Sequence, residues 1–115
     1  MENCIFCRIV SKELPSEIIF ENDSVLAFRD VAPVAPKHIL IIPKKHYSSL
    51  EELNSELRRS LLPEIFDCIE ELVQKEGLDE KGYRVVNNCG KEGGQTVSHL
   101  HFHLLAGREM QWPPG

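Results

Sequence analysis

The chain has no basic surplus. Its 13 Lys and Arg stand against 18 Asp and Glu, a formal net charge of -5 over 115 residues. That balance excludes the basic footprint of a nucleic-acid partner or an anionic membrane surface. Long apolar runs are missing too. Stretches such as Ile39–Pro43 fall far short of a bilayer span. The segment Met1-Glu2-Asn3-Cys4-Ile5-Phe6 carries no basic region followed by an apolar one, so the expected location is cytoplasmic. Cysteine is limited to Cys4, Cys7, Cys68 and Cys89. In a reducing cytosol Cys4-x-x-Cys7 reads as a metal or redox pair and the other two as ordinary thiols. Without repeats or low-complexity segments, residues 1–115 read as a single domain. Its core is modest, of a size that a partner subunit often completes.

The patterns that are present alternate between two periods. Glu17–Phe20 and Val25–Arg29 are short apolar-rich runs around Glu21-Asn22-Asp23-Ser24, a hairpin signal without a glycine. Val31–Lys37 holds Pro33 and Pro36 and reads as a loop, and His38–Pro43 as a largely buried strand. Leu57, Leu61, Ile65, Ile69, Leu72 and Val73 recur at helical spacing. Ser49-x-x-Glu52 has the form of a capping box, Asn54 is a second possible start, and Gly77 is a plausible stop. Pro63 inside this pattern predicts a kink or a first turn. Two further strands are expected over Tyr83–Asn88 and His99–Leu105, with a glycine-rich loop between them, and Cys4–Ser11 is a helical turn or two. The order predicts an α+β domain on a mainly antiparallel sheet.

The last strand carries the chemistry. In His99-Leu100-His101-Phe102-His103-Leu104-Leu105, alternation puts three imidazoles on one face and apolar side chains on the other. Three readings compete: a solvated polar face, a metal site, and nucleophilic attack on phosphorus by neutral imidazole. Gly93-Gly94-Gln95-Thr96, just upstream, suits a phosphate. Glycines allow close backbone approach, and Thr96 adds a hydroxyl.

At these residues the chain resembles the histidine-triad family, whose motif is His-x-His-x-His with apolar residues between. The likeness extends over Cys4–Val10, Ala27–Asp30, Ala35–His38, Ile42–His46, Gly82–Asn87, Gly93–Val97 and Gln111–Gly115. Together these segments are similar to the histidine-triad nucleotide-binding (Hint) branch. The Trp-Pro-Pro-Gly ending favours that branch over the dinucleoside-polyphosphate hydrolases. The resemblance implies a five-stranded antiparallel sheet with a long helix and a short N-terminal helix. It places the helices on one side and continues the sheet across a homodimer, with residues 108–115 reaching toward the partner.

It also implies hydrolysis of the P–N bond of adenosine phosphoramidates, including adenylated lysine, with no cofactor needed for catalysis. His101 would become nucleotidylated. His103 and His38 would line the phosphate site, His99 would orient the set, and Gly94, Gln95 and Thr96 would hold phosphate near Asn88. Asp30 would take the ribose hydroxyls of an AMP-type purine nucleotide. Ile5, Phe6, Phe28, Val31 and Leu40 would form the base pocket, with Trp112 near the partner's site. Eukaryotic members commonly have Ser where Thr96 stands, which bears on how the leaving amine is protonated.

Cys4-x-x-Cys7 alone is a weak zinc signal, since a structural site wants four ligands; His46 and His99 are the candidate third and fourth. Many bacterial members with this pair are similar in carrying zinc there. The plain alternative is two half-buried thiols on a short helix. A zinc-bound His99 would hold the start of the strand rather than take part in chemistry. Two rival functions stay open: a dinucleoside-polyphosphate hydrolase, and a zinc-binding adaptor that senses nucleotide. Asp30 has a bland reading of its own, as the cap of a turn before the proline loop.

Overall fold

The computed structural model describes residues 3–115. Its elements are α1 (Ile5–Val10), β1 (Ile18–Glu21), β2 (Val25–Arg29), β3 (Lys37–Pro43), a 3-10 turn (Leu50–Glu52), α2 (Ser55–Glu76), β4 (Arg84–Val86) and β5 (Phe102–Ala106). The strands form an antiparallel sheet in the order β1-β2-β3-β5-β4. The β1–β2 turn needs no glycine. The Asn22 side-chain oxygen accepts from the backbone N–H of Ser24 at 2.9 Å and of Val25 at 2.8 Å, closing the turn itself.

Alternation along β2 and β3 explains why both read as unbroken apolar runs. Val25, Ala27, Ile39 and Ile41 point to one face, where they pack with Leu61, Ile65, Cys68, Ile69, Leu72 and Val73 of α2. Leu26, Phe28, Leu40 and Ile42 point to the other, where they meet Phe6 and Ile9 of α1. Each strand is covered on both sides, so neither shows a polar period. The helices therefore lie on opposite faces of the sheet, which corrects the expectation that both share one side. This placement brings α1 to the face that carries the site.

α2 starts at Asn54, whose side chain accepts from Leu57 N–H at 2.8 Å; Ser49 caps the 3-10 turn instead. Pro63 does not break the helix. Pro63 and Arg59 are both exposed, so water can take the Arg59 carbonyl that the proline leaves without a donor. Gly77 ends the helix in the left-handed region at φ +69°.

The last strand is shorter than its sequence suggests. β5 begins at Phe102, so of the three histidines only His103 belongs to the ladder, where it faces Leu40 and Val86. The 98–101 segment leaves the sheet because Leu100 N–H bonds to Tyr47 O at 2.6 Å rather than to a neighbouring strand. The three imidazoles are thus not one row. β4 likewise covers only Arg84–Val86, because Asn87 turns its side-chain N–H to His101 O at 2.9 Å.

Candidate active site

β3 and β5 run side by side, which sets His38 and His103 in contact, and the segment entering β5 supplies His101. With His38 set back from its wall, a cavity of about 450 Å³ opens in front of His101 and His103. It is lined by Ile5, Phe6, Phe28, Asp30, Val31, Leu40, Thr96, His101 and His103. These sites, far apart in the chain, therefore converge on one cavity. Ile9, Leu14, Pro15, Ser16, Arg29 and Val97 complete the wall. The segment after α1 was missed because it carries no motif.

Hydrogen bonds set the proton on each ring. His101 Nδ1 lies 2.7 Å from His99 O. A carbonyl only accepts, so Nδ1 carries the proton and Nε2 keeps its lone pair. Val34 N–H donates to His38 Nδ1 at 3.1 Å, so His38 is protonated on Nε2. That N–H donates to His103 Nδ1 at 2.9 Å, which leaves the His103 proton on Nε2. The pair thus presents an N–H donor beside a free imidazole nitrogen. Burial, then the neighbouring His101 and His38, keeps the His103 ring neutral, with its pKa lowered to about 4. Burial lowers that of His38 as well, against the pull of Asp30. Asp30 lies 3.4 Å from His38 Nε2, and its other oxygen accepts from Ala32 N–H at 2.8 Å. It therefore does cap the turn and also lines the cavity.

The remaining candidates lie elsewhere. Asn88 lines a second cavity of about 690 Å³ on the other side of His103, with His38, Arg84, Arg108 and the tail residues Gln111, Pro113 and Pro114. The Gln95 side chain works within its own loop. It donates to Ser48 O at 2.7 Å and to Val97 O at 2.9 Å, and accepts from Gly90 N–H at 2.9 Å. It shapes the loop, and the backbone N–H groups of Gly94 and Gln95 already donate to Lys91 O and Gly90 O at 3.1 Å, which leaves neither amide free for an anion. Trp112 is 82% exposed. Arg84 donates to Gln111 O at 2.9 Å, tying the tail to β4 of its own chain. Lys44 pairs with Glu21 at 2.7 Å. Cys68 is a core residue, its thiol pushed up to about 12 by burial.

A second cluster sits behind His101. Cys4, Cys7, His46 and His99 bring their donor atoms within 4.8 Å of one another. Cys4 Sγ and Cys7 Sγ lie 3.4 Å and 3.5 Å from His99 Nδ1, and Cys7 Sγ lies 3.3 Å from His46 Nδ1. Thiolate–imidazole edges of a tetrahedron around zinc measure about 3.5 Å at ordinary bond lengths. His99 Nε2–H donates to Pro43 O at 2.9 Å, which turns the Nδ1 lone pair toward the cluster. These residues fit a structural zinc ion. Buried His99, with a pKa lowered to about 4, stays neutral as a ligand must.

The fold is a five-stranded antiparallel sheet with a long and a short helix that carries paired histidines on one face. The HIT domain family matches residues 11–110, and the chain belongs to it. It is 50% identical over 114 residues to an uncharacterized HIT-like protein of Synechococcus elongatus, covering 99% of this chain and 98% of that one. It is 46% identical over 112 residues to a 14 kDa zinc-binding protein of Brassica juncea, covering 96% and 98%. The crystal structure of a HIT family hydrolase from Legionella pneumophila superposes with a TM-score of 0.94 at 50% identity, covering 98% and 100%. Among the described residues, no helix is long and apolar enough to cross a membrane.

Proposed function

We propose that this chain is a Hint-branch phosphoramidase that cleaves the P–N bond of adenosine 5'-phosphoramidates, adenylated lysine among them. The observation that carries the reading is the 2.7 Å bond from His101 Nδ1–H to His99 O, which reserves the other ring nitrogen for attack. The His101 Nε2 lone pair forms a bond to the α-phosphorus. The P–N bond breaks, its electron pair stays on the leaving amine, and that nitrogen takes a proton from solvent by way of the Thr96 hydroxyl. Water then adds to phosphorus and releases its proton to solvent. The N–P electron pair returns to Nε2, and the monophosphate departs. His103 Nε2–H stabilises the charge that builds on the phosphoryl oxygens, with His38 holding its tautomer. Gly94 and Gln95 shape the loop that carries Thr96 to the cavity wall. Ile5, Phe6, Phe28, Val31 and Leu40 take the purine face, and Asp30 accepts two ribose hydroxyls.

Zinc on Cys4, Cys7, His46 and His99 is structural in this reading and ties α1 to the entry of β5. The protein is a cytoplasmic homodimer whose sheet continues through the free edge of β4, with residues 108–115 and Trp112 turned toward the partner. Mixing the protein with adenosine phosphoramidate and quenching within one turnover should add one adenylyl group to the intact mass. His101→Asn should abolish that adduct while AMP still binds. Full turnover by His101→Asn would overturn the assignment.

One observation favours a second reading, a dinucleoside-polyphosphate hydrolase. The cavity beyond His103 holds Arg84 and Arg108 with no acidic side chain among its lining residues. Such a wall suits an anionic leaving group as well as an amine. Rates on adenosine phosphoramidate and on a diadenosine polyphosphate separate the two.

A further inference from the structure

His99 faces two ways. Its side chain belongs to the thiol–imidazole cluster, and its carbonyl oxygen holds the Nδ1 proton of His101. We propose that the Cys4–Cys7–His46–His99 cluster, filled by zinc, is a positioning device for His101. The metal fixes the His99 backbone, and the backbone fixes which nitrogen of His101 is free. The inference rests on the phosphoramidase reading for its kinetic arm only.

This segment is buried, but few hydrogen bonds hold its backbone beyond the Asn87 side chain on His101 O. The segment before Phe102 belongs to no strand, so no ladder holds it. The bonds from His99 Nε2–H to Pro43 O and from Leu100 N–H to Tyr47 O anchor it from one side. On the other side, among the Phe6 and His46 rings, stand the two sulfurs, whose contacts with His99 Nδ1 at 3.4 and 3.5 Å are weak hydrogen bonds while they remain thiols. A bound Zn²⁺ replaces those weak contacts with ligand bonds and pins the ring.

Phe6 makes a second connection. It lies between the two cysteines in α1, and its ring stands edge-on to His99 at 5.8 Å and to His101 at 5.1 Å. The cluster is also reachable. A hollow of about 380 Å³ lined by Cys4 and His46 shares Ile5, Thr96 and Val97 with the nucleotide cavity. The wall between metal and substrate is thus one layer of residues thick. Cys4, Cys7 and His46 are positioning residues in this scheme, since they act through His99 and touch no substrate.

The test compares zinc-loaded protein, the same protein stripped by a chelator, and the variants His46→Asn and His46→Cys. His46 lines the hollow and not the nucleotide cavity, so its change leaves the substrate wall intact. Long-range nitrogen–proton NMR spectra should show His101 of the loaded protein as a single Nδ1–H tautomer. Stripping, or His46→Asn, should give exchanging tautomers. kcat should fall about tenfold, the lower end of what lost outer-shell support costs, with KM within about threefold. His46→Cys supplies another zinc ligand and should restore metal content, tautomer and kcat together. A His101 that keeps its single tautomer after the metal is stripped overturns the proposal, whichever variants fold. So does a zinc-loaded His46→Cys as slow as His46→Asn. If loaded wild type forms no adenylyl adduct, the phosphoramidase reading fails, while the imidazole spectra still decide the coupling.

Discussion

His38 Nε2 lies 2.9 Å from His103 Nδ1, and the proton between them belongs to His38 because Val34 N–H already occupies the other nitrogen of that ring. A backbone amide of the proline-flanked loop thereby sets the tautomer of a histidine on another strand. Replacing His38 by Asn should leave His103 free to carry its proton on either nitrogen. We expect kcat on adenosine phosphoramidate to fall about tenfold to a hundredfold, less than outright loss of an oxyanion donor. Steady-state rates check this. An unchanged kcat would remove His38 from the phosphate site.

Stability should depend on mild acid. His103 has a folded pKa lowered to about 4, and that of His38 is lowered as well, while both rings titrate near 6.5 when unfolded. Between about pH 6.5 and 4 the unfolded chain binds more protons, so stability rises with pH across that window. The contribution is complete above about 6.5 and is lost as pH falls toward 4. Urea midpoints at pH 7.5, 6 and 5 should drop in sequence. His103→Asn should flatten the slope, and an equal slope in that variant would refute the assignment.

Asp30 offers a carboxylate at the cavity rim, with one oxygen engaged by Ala32 N–H at 2.8 Å. Under the proposed reaction Asp30→Asn should raise KM about tenfold for ribonucleotide substrates, a loss of about 1.4 kcal/mol. A 2',3'-dideoxy analogue should be hydrolysed equally well by both proteins. Equal sensitivity of the two substrates would mean that Asp30 only caps the turn.

A methyl group at Gly93 would lie 2.4 Å from the Cys89 carbonyl oxygen, a backbone atom that cannot swing away. Gly93→Ala should therefore cost about 1–3 kcal/mol, as overpacking does. Because Thr96 and Val97 follow directly, KM should rise with the lost stability. A thermal melt and a KM measurement on one sample decide this, and an unchanged melting point would mean that the loop reshapes without strain.

Much of the architecture was legible because local patterns and burial agree. The stripe from Leu61 to Val73 made α2 visible, and β2 and β3 stood out as runs too apolar for a wet face. The convergence of Ile5, Phe6, Asp30, Thr96 and His101 on one cavity could be expected only through the family resemblance, since spacing says nothing about residues that far apart. Strand periodicity misled at His99 and His101. Alternation assumes a continuous ladder, and the bond from Leu100 N–H to Tyr47 O ends the ladder before them.

What the amino-acid sequence determined alone was the inventory: three alternate histidines, a cysteine pair, and apolar faces at periods of 2 and 3.6. The tertiary structure decided how that inventory divides. The side on which α1 packs, the turning of His99 toward the thiols and the proton on each imidazole depend on partners such as Pro43 O, His99 O and Val34 N–H. Those are backbone atoms, common to every residue type, so their role leaves no mark in the sequence and arises only when folding brings them within hydrogen-bond reach.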